Sequence, residues 1–226
     1  MSDYPHEISP DQRERVLAHF ERLFTRYPAL EGCRDQIMQA YVLLRDGFAR
    51  GGKLLICGNG GSCADAQHIV GELMKGLYLK RPLPQTQKDA LRGLMEPILP
   101  GGADLLQRGL PAIALTDHQA LTTAVQNDLD PSLAMAQQVI GYGRREDVIL
   151  AISTSGNARN VALAVATAKA LGLRSVALTG GSGGRLKGLC DCAVIAPASS
   201  AADVQEYHLP IYHTLCAMLE AAFFAE

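Results

Sequence analysis

The stretch Val148-Ile149-Leu150-Ala151-Ile152-Ser153-Thr154-Ser155-Gly156-Asn157 joins an apolar run to a polar turn that contains a glycine. Five consecutive apolar residues predict a strand that is buried on both faces. Apolar residues at helical spacing from Val161 to Leu171 predict a helix after the turn. Hydroxyl and amide groups therefore lie beside the free N–H groups and the positive dipole end of a helix. This arrangement is typical of a site for a small anion such as phosphate.

A second turn of the same kind follows another apolar strand. Lys53-Leu54-Leu55-Ile56-Cys57 leads into Gly58-Asn59-Gly60-Gly61-Ser62. The dinucleotide fingerprint G-x-G-x-x-G would need a glycine at the position of Cys63, and no G-x-x-x-x-G-K-[ST] motif occurs. Two such turns predict a phosphorylated ligand that is held between strand ends.

Strands and helices alternate from Lys53 onward. The apolar runs predict strands at 53–57, 111–115, 147–152, 174–178 and 192–196. Amphipathic spacing predicts helices at 62–78, 118–126, 131–142, 157–171 and 203–224, with two earlier helices at 11–26 and 34–50. This alternation predicts an α/β fold, a doubly wound five-stranded parallel sheet flanked by helices. In such a sheet the ligand binds at the carboxyl ends of the strands.

The chain divides into an N-terminal helical segment at 1–50, which we expect to serve oligomerisation, and a ligand-binding domain at 51–226. Residues 79–110 fit the alternation poorly because they contain four prolines and the pair Gly101-Gly102. We interpret this part as an inserted loop with a short helix around Asp89 to Met95. The glycine-rich run Gly180 to Gly184 is interpreted as a flexible turn between a strand and a helix.

The amino-acid composition limits the classes of function that we expect for the protein. The chain has 226 residues and a formal net charge of -2, which argues against electrostatically driven nucleic-acid binding. No apolar run reaches the roughly 18 residues of a membrane span, and Met1 to Pro10 lacks the layout of a signal peptide. We therefore expect a cytoplasmic protein without a membrane partner. The six cysteines are expected to be free thiols, of which Cys63 beside the glycine turn is the candidate for reactivity.

Two pairs of polar residues are candidates for chemistry. His68 and Glu72 are four residues apart on one predicted helix, and Gln205 and His213 share one half of the last predicted helix. Two imidazoles, a carboxylate and an amide oxygen would suit a zinc-like ion. Spacing alone leaves open whether His68 and Glu72 form a surface ion pair instead. Pro210 is expected to kink the last helix and to change the direction of His213.

Several motifs together resemble the phosphoheptose isomerases of the sugar isomerase (SIS) domain superfamily. They are Cys57 to Ser62 with Asp65 and His68, the Asn127-Asp128 pair, Ile152 to Asn157, and Gln205-Glu206 with His213. The resemblance runs from about residue 34 to the C-terminus. It implies an SIS fold, conversion of sedoheptulose 7-phosphate to D-glycero-D-manno-heptose 7-phosphate, and a homotetramer with shared active sites.

The resemblance also assigns roles to residues. It implies one Zn²⁺ per active site, held by His68, Glu72, Gln205 and His213, with Glu72 and His213 as the acid–base pair that moves a proton through an enediol. It implies that the sugar phosphate is bound by Asn59, Gly60, Gly61, Ser62, Asn127, Asp128, Ser153, Thr154, Ser155, Asp203 and Gln205.

The sequence departs from the family pattern at three places. Ala158 stands where a serine is common, Lys75 and Gly76 replace a Gly-Arg pair, and the segment between Glu72 and Pro111 is about two dozen residues longer than usual. These departures leave open an isomerase or sensor of another ketose phosphate. A non-catalytic relative that binds the replication initiator DnaA is the other alternative, although such relatives lack the metal and acid–base residues.

Overall fold

The computed structural model describes residues 8–224. Residues 1–7, in the predicted N-terminal segment and the stretch tested for a signal peptide, and residues 225–226, at the end of the predicted domain, lie outside the described residues. Within 8–224, no helix combines the length and the apolar character needed to cross a membrane.

A parallel sheet of five strands lies at the centre, in the order β2-β1-β3-β4-β5. The strands are β1 (Leu54–Cys57), β2 (Ala112–Ala114), β3 (Val148–Ile152), β4 (Arg174–Gly180) and β5 (Cys192–Ala196). All five lie within a few residues of the predicted positions, and β4 continues two residues further than predicted. The predicted α/β class and parallel sheet are confirmed.

Ten α-helices occur in the described part of the chain. They are α1 (Pro10–Arg26), α2 (Arg34–Ala49), α3 (Gly61–Met74), α4 (Gln85–Met95), α5 (Gly102–Leu105), α6 (Gln119–Asp128), α7 (Ala134–Tyr142), α8 (Arg159–Ala170), α9 (Gly184–Leu189) and α10 (Ala201–Phe223). Short 3-10 turns lie at Pro28–Cys33 and Pro131–Leu133.

Side chains alternate between two cores because successive residues of a strand point to opposite faces. Leu54 and Ile56 of β1 join a core with α1, α2, α3 and α10, and Leu55 and Cys57 join a core with α7, α8 and α9. The sheet is therefore covered on both faces, as a doubly wound fold requires. Helix α1 packs along α10, so the N-terminal helices share the first core with the sheet.

Some elements differ from the predictions for local reasons. Helix α3 ends at Met74 rather than at 78, and a side chain at Gly76 would collide with the carbonyl of Leu79 in the turn that follows. The glycine-rich run leads into the short helix α9, as expected of a turn between a strand and a helix, although no bounds were predicted for this helix because glycine hides a helical pattern. The predicted inserted helix starts earlier, at Gln85, and a β-bridge between Pro82 and Gln107 closes the base of the insertion.

The kink at Pro210 stays a prediction, and the proline does not interrupt the last helix. Helix α10 runs without interruption from Ala201 to Phe223 with Pro210 inside it. The missing N–H costs one helical hydrogen bond, but burial of most of the C-terminal half of α10 in the first core stabilises the helical path. His213 keeps its place on the face of α10 that meets α3.

Candidate functional site

The two polar turns meet at the point where the strand order reverses. From β1 the chain moves outward to β2, and from β3 it moves the other way to β4 and β5. Neighbouring strands that lead in opposite directions leave a crevice at their carboxyl ends, where doubly wound folds bind ligands. The turn after β1 and the turn after β3 both open into this crevice.

In the turn after β1, the backbone passes so close to other groups that glycine is required. Gly60 has a φ of 56°, and helix α3 starts after it without a side-chain cap. A side chain at Gly58 would lie 2.6 Å from the carbonyl oxygen of Ser62, and one at Gly61 would collide with the amide of Gln205. Ser62 is buried, whereas Asn59 is exposed.

The serine turn starts helix α8 in the same way. Ala158 occupies the N-cap position and gives no side-chain cap, so the departure at this residue leaves the first N–H groups of α8 without a hydroxyl partner. Ser153 is buried, and the Ser155 hydroxyl accepts a hydrogen bond from the Asn157 N–H at 3.2 Å. Thr154 holds the turn against β4 because its carbonyl accepts from the Gly180 N–H at 2.9 Å.

A pair of amides joins the two turns. Asn59 and Asn160 exchange side-chain hydrogen bonds of 2.9 and 2.8 Å. This bridge places the N-termini of α3 and α8 on either side of one crevice. The two helices then direct their positive dipole ends to the same space, which suits a phosphate.

A second group of polar side chains lies further along α3. The Nε2 atom of His68 is 3.1 Å from Glu72 Oε1 and 3.4 Å from His213 Nε2. The potential ligand atoms of His68, Glu72 and His213 all lie within 4.8 Å of one another. The structure thus brings together three of the four residues that the resemblance implies for a metal.

Gln205 lies nearer the start of the α3–α10 helix pair than His68, Glu72 and His213 do. Its amide lies against Gly61, at the start of α3, and Gly61 is about 10 Å from His68 along the helix axis. Gly61 faces Gln205 while His68 faces His213, so α3 and α10 run in the same direction. Gln205 therefore lies beside the glycine turn. Asp203, two residues before Gln205 in the first turn of α10, is exposed.

Asn127 and Asp128 lie at the C-terminal end of α6, where Asn127 donates a 2.8 Å hydrogen bond to Asp128. Both are exposed, and within residues 8–224 the side-chain hydrogen bond of this pair is local rather than to either polar turn. Sequence reasoning did not single out Asp117, which follows β2 at the carboxyl edge and accepts a 2.5 Å hydrogen bond from Gln67 of α3. Its position just after a predicted strand was the feature of the sequence that could have identified Asp117 as a candidate site residue.

Tyr212 also escaped sequence reasoning. It is 2% exposed, and its hydroxyl lies 2.9 Å from His68 Nδ1 and 3.4 Å from Asp65 Oδ1. Asp65 precedes His68 by three residues on α3 and belongs to the motif that carries the resemblance, but no role was assigned to it. The pattern Asp-x-x-His on one helix face was the available signal.

The surroundings alter the acidity of these groups. Burial and the neighbouring His68 lower the pKa of His213, while Glu72 opposes the change. Burial raises the pKa of Asp65 against the effect of the Tyr212 hydrogen bond, and burial together with Asp65 raises the pKa of Tyr212. His213 therefore stays neutral to a lower pH than a free histidine, and neutral imidazole is the form that binds metals.

Comparison with known proteins agrees with this geometry. The SIS domain family model matches residues 120–224. Phosphoheptose isomerases from Nitratiruptor sp. and Helicobacter pylori (strain P12) are 35% and 36% identical, over 93% of this chain and 97% and 95% of theirs. The solved phosphoheptose isomerase of Francisella tularensis has a TM-score of 0.70 and 32% identity, covering 92% of this chain and 97% of that one. The chain belongs to the phosphoheptose isomerase family.

The donor set of this phosphoheptose isomerase homologue can be tested against a metal ion. Zinc binds nitrogen and oxygen at about 2.0–2.2 Å, so two ligand atoms at tetrahedral positions lie about 3.3–3.6 Å apart. The 3.1 Å and 3.4 Å separations around His68 Nε2 are close to this value. Two imidazoles and a carboxylate are also ligands that zinc accepts. The residues present fit a zinc-like ion with a fourth position for substrate or water, whereas the predicted fourth ligand, Gln205, lies beside the glycine turn.

A cavity of about 230 Å³ lies against His213, between α1 and α10. Arg22 and Arg26 line it from α1, together with Tyr78 from the segment after α3, and no acidic residue contributes to its walls. In this family member, the histidine of the donor cluster is thus reached from the α1 side as well as from α3.

Proposed function

We propose that the protein interconverts sedoheptulose 7-phosphate and D-glycero-D-manno-heptose 7-phosphate. The convergence of His68, Glu72 and His213 carries the proposal, because aldose–ketose isomerisation needs a base and a donor to oxygen beside one carbon pair. This cluster favours catalysis over the non-catalytic alternative. Membership of the family supports the sugar-phosphate class, and the length of the sugar is the finer part of the proposal.

Glu72 is the base. Its carboxylate removes a proton from C1 of the ketose and returns it to C2, while the hydroxyl proton moves from O1 to O2. Its side chain is 16% exposed, so it is largely shielded from water while it remains within reach of the cluster. A carboxylate that is placed within hydrogen-bond reach can take and return a carbon-bound proton.

His213 orients the substrate oxygen and exchanges its proton. The lowered pKa keeps its ring neutral, and a neutral imidazole has one N–H to donate and one nitrogen to accept. His68, Glu72 and His213 would hold a zinc ion, with a fourth position left for substrate or water. When bound, the ion would stabilise negative charge that develops on the sugar oxygens.

The phosphate end of the substrate would lie in the crevice between the two turns. The positive dipole ends of α3 and α8 and the polar side chains of the two turns border this crevice. The crevice and His68 are about 10 Å apart along α3, a distance that a phosphorylated heptose can bridge. Binding energy at the phosphate can then position the reacting end.

We also propose a homotetramer with shared active sites, located in the cytoplasm. Exposed apolar side chains such as Leu17, Tyr78 and Leu209 favour a subunit contact near α1 and α10. The six free cysteines suit a reducing compartment. Light scattering should give a mass near four times the 24.2 kDa of one chain, and a monomer would contradict the shared site.

The test is a panel of ketose phosphates with five to seven carbons, assayed for the aldose product with zinc and after chelation. We expect turnover of the seven-carbon substrate, loss on chelation, and recovery when zinc is restored. Preference for a shorter ketose would select another sugar within the same reaction. The absence of turnover with every sugar and metal would contradict the enzymatic proposal.

A further inference from the structure

The buried hydroxyl of Tyr212 lies between two groups that compete for it. His68 Nδ1 is 2.9 Å away on one side and Asp65 Oδ1 is 3.4 Å away on the other. Tyr212 stands next to His213 on α10, and Asp65 stands one turn before His68 on α3. The hydroxyl therefore links the two helices directly behind the donor cluster.

Hydrogen counting limits how these contacts can be arranged. A tyrosine hydroxyl has one proton to donate, and an ionised carboxylate can only accept. If the hydroxyl donates to Asp65, then His68 Nδ1 must carry the proton that the tyrosine oxygen accepts. The lone pair of His68 is then on Nε2, which is the atom that faces Glu72 and His213.

The position of Asp65 favours this direction of donation. Its Oδ2 atom is buried and has no hydrogen-bond partner within the described residues. Its hydrogen bonding to the protein thus depends on Oδ1 and on the Tyr212 hydroxyl. A buried carboxylate that lacks a hydrogen-bond donor costs roughly 1–3 kcal/mol, or more because the group is charged. Donation of the Tyr212 hydroxyl proton to Asp65 is therefore favoured over donation to His68.

We propose that Asp65 and Tyr212 are positioning residues that hold His68 with its proton on Nδ1 and with Nε2 free to bind a divalent metal. The inference rests on the proposed function in that it assigns a ligand role to His68. Metal-binding histidines commonly donate their second N–H to a carboxylate, a carbonyl or water, and here a tyrosine relays the contact from the carboxylate. Both residues would act through His68 rather than on the substrate.

The opposite arrangement makes a different prediction. If Tyr212 donated to His68 Nδ1, the ring proton would lie on Nε2 and would point at Glu72 Oε1, 3.1 Å away. His68 and Glu72 would then form a simple hydrogen bond, and Nε2 could bind a metal only after the proton moved.

The experiment combines nitrogen NMR of the histidine side chains with zinc affinity. In the metal-free parent protein labelled with ¹⁵N-histidine, the His68 signals, assigned by their loss in His68→Gln, should report a protonated Nδ1. Tyr212→Phe should remove this preference and weaken zinc binding about 10- to 100-fold. Asp65→Asn should lie between the parent and Tyr212→Phe, because the asparagine oxygen still accepts a hydrogen bond.

Tyr207→Phe is the matched control, since Tyr207 is on the same helix and its side chain forms no hydrogen bond with another residue in the range 8–224. It should leave zinc affinity and the His68 signals unchanged, and equal melting temperatures for both phenylalanine variants would exclude a folding defect. A protonated Nε2 in the parent protein, or parent-like zinc affinity in Tyr212→Phe, would overturn the inference. A parent that shows the expected tautomer and zinc binding but isomerises no sugar would contradict the proposed function alone.

Discussion

Replacing Glu220 with glutamine should destabilise the protein strongly, because Glu220 and Arg81 form an ion pair in the first core. Their side chains are 2% and 0% exposed, and Arg81 Nε donates to Glu220 Oε1 at 2.8 Å. The same carboxylate accepts from the backbone N–H groups of Leu77, Tyr78 and Leu79 at 2.8, 2.8 and 3.1 Å. Glutamine keeps the shape but removes the charge and turns an amide NH₂ toward these donors.

The expected cost follows from what remains buried. Breaking a buried pair by removing one partner typically costs about 3–5 kcal/mol, because the other charge is left uncompensated. For a protein of about 150–250 residues, each kcal/mol lowers the melting temperature by roughly 2–4 °C. Glu220→Gln should therefore melt about 6–20 °C below the parent protein.

The pair also determines local geometry near the donor cluster. Arg81 donates to the carbonyls of Leu73 and Glu72, at 2.8 and 3.3 Å, and so fixes the C-terminal end of α3. Calorimetry should show the loss of stability in Glu220→Gln. Glu206→Gln, an exposed change on the same helix, should stay within about 0.5 kcal/mol of the parent. A Glu220→Gln protein that melts within 2 °C of the parent would refute this reasoning.

Two further predictions concern the first polar turn. Gly61→Ala should push the Gln205 amide away and raise the KM for the sugar phosphate about tenfold or more. The control Gly71→Ala, which has open space around the new side chain, should leave KM unchanged and stabilise α3 by about 0.5–1 kcal/mol. Equal KM values for the two variants in steady-state assays would contradict the contact between Gly61 and Gln205. At pH 8 a thiol reagent should label Cys63 fastest, because Cys190, the other partly exposed thiol, has its pKa raised to about 12 by burial. Cys190 labelling should accelerate as the pH rises toward that value, and a fast phase that persists in Cys63→Ser would show that another thiol reacts.

The sheet could be predicted from the sequence because its strands are short apolar runs between polar turns. Val148 to Ile152 has no polar residue, so a strand formed by these residues is stable only when both of its faces are buried. The prediction of 131–142 as one helix missed the 3-10 turn that starts it, because the Asp130 side chain caps Ser132 and redirects the chain. Insertion helix α4 contains no buried residue, so no periodic burial signal fixed its bounds.

The site could be predicted only in part. His68 and Glu72 were linked by helical spacing, but their meeting with His213 depends on how α3 packs against α10, which is a long-range contact. Gln205 shows the limit of spacing, since its amide lies against Gly61 rather than beside His213. The contact between Tyr212 and His68 was equally invisible, because a buried tyrosine on an apolar helix reads as a core residue.

The most direct test of the account is proton exchange at C1 of sedoheptulose 7-phosphate, followed by NMR in D₂O with zinc present. We expect the parent protein to exchange the C1 proton during turnover and Glu72→Gln to exchange it at least about 100-fold more slowly, as expected for loss of a general base. Glu146→Gln, which lies at the amino ends of the strands and far from the crevice, should exchange as the parent does. If Glu72→Gln exchanged C1 hydrogen as fast as the parent protein, the assignment of Glu72 as the base would be wrong.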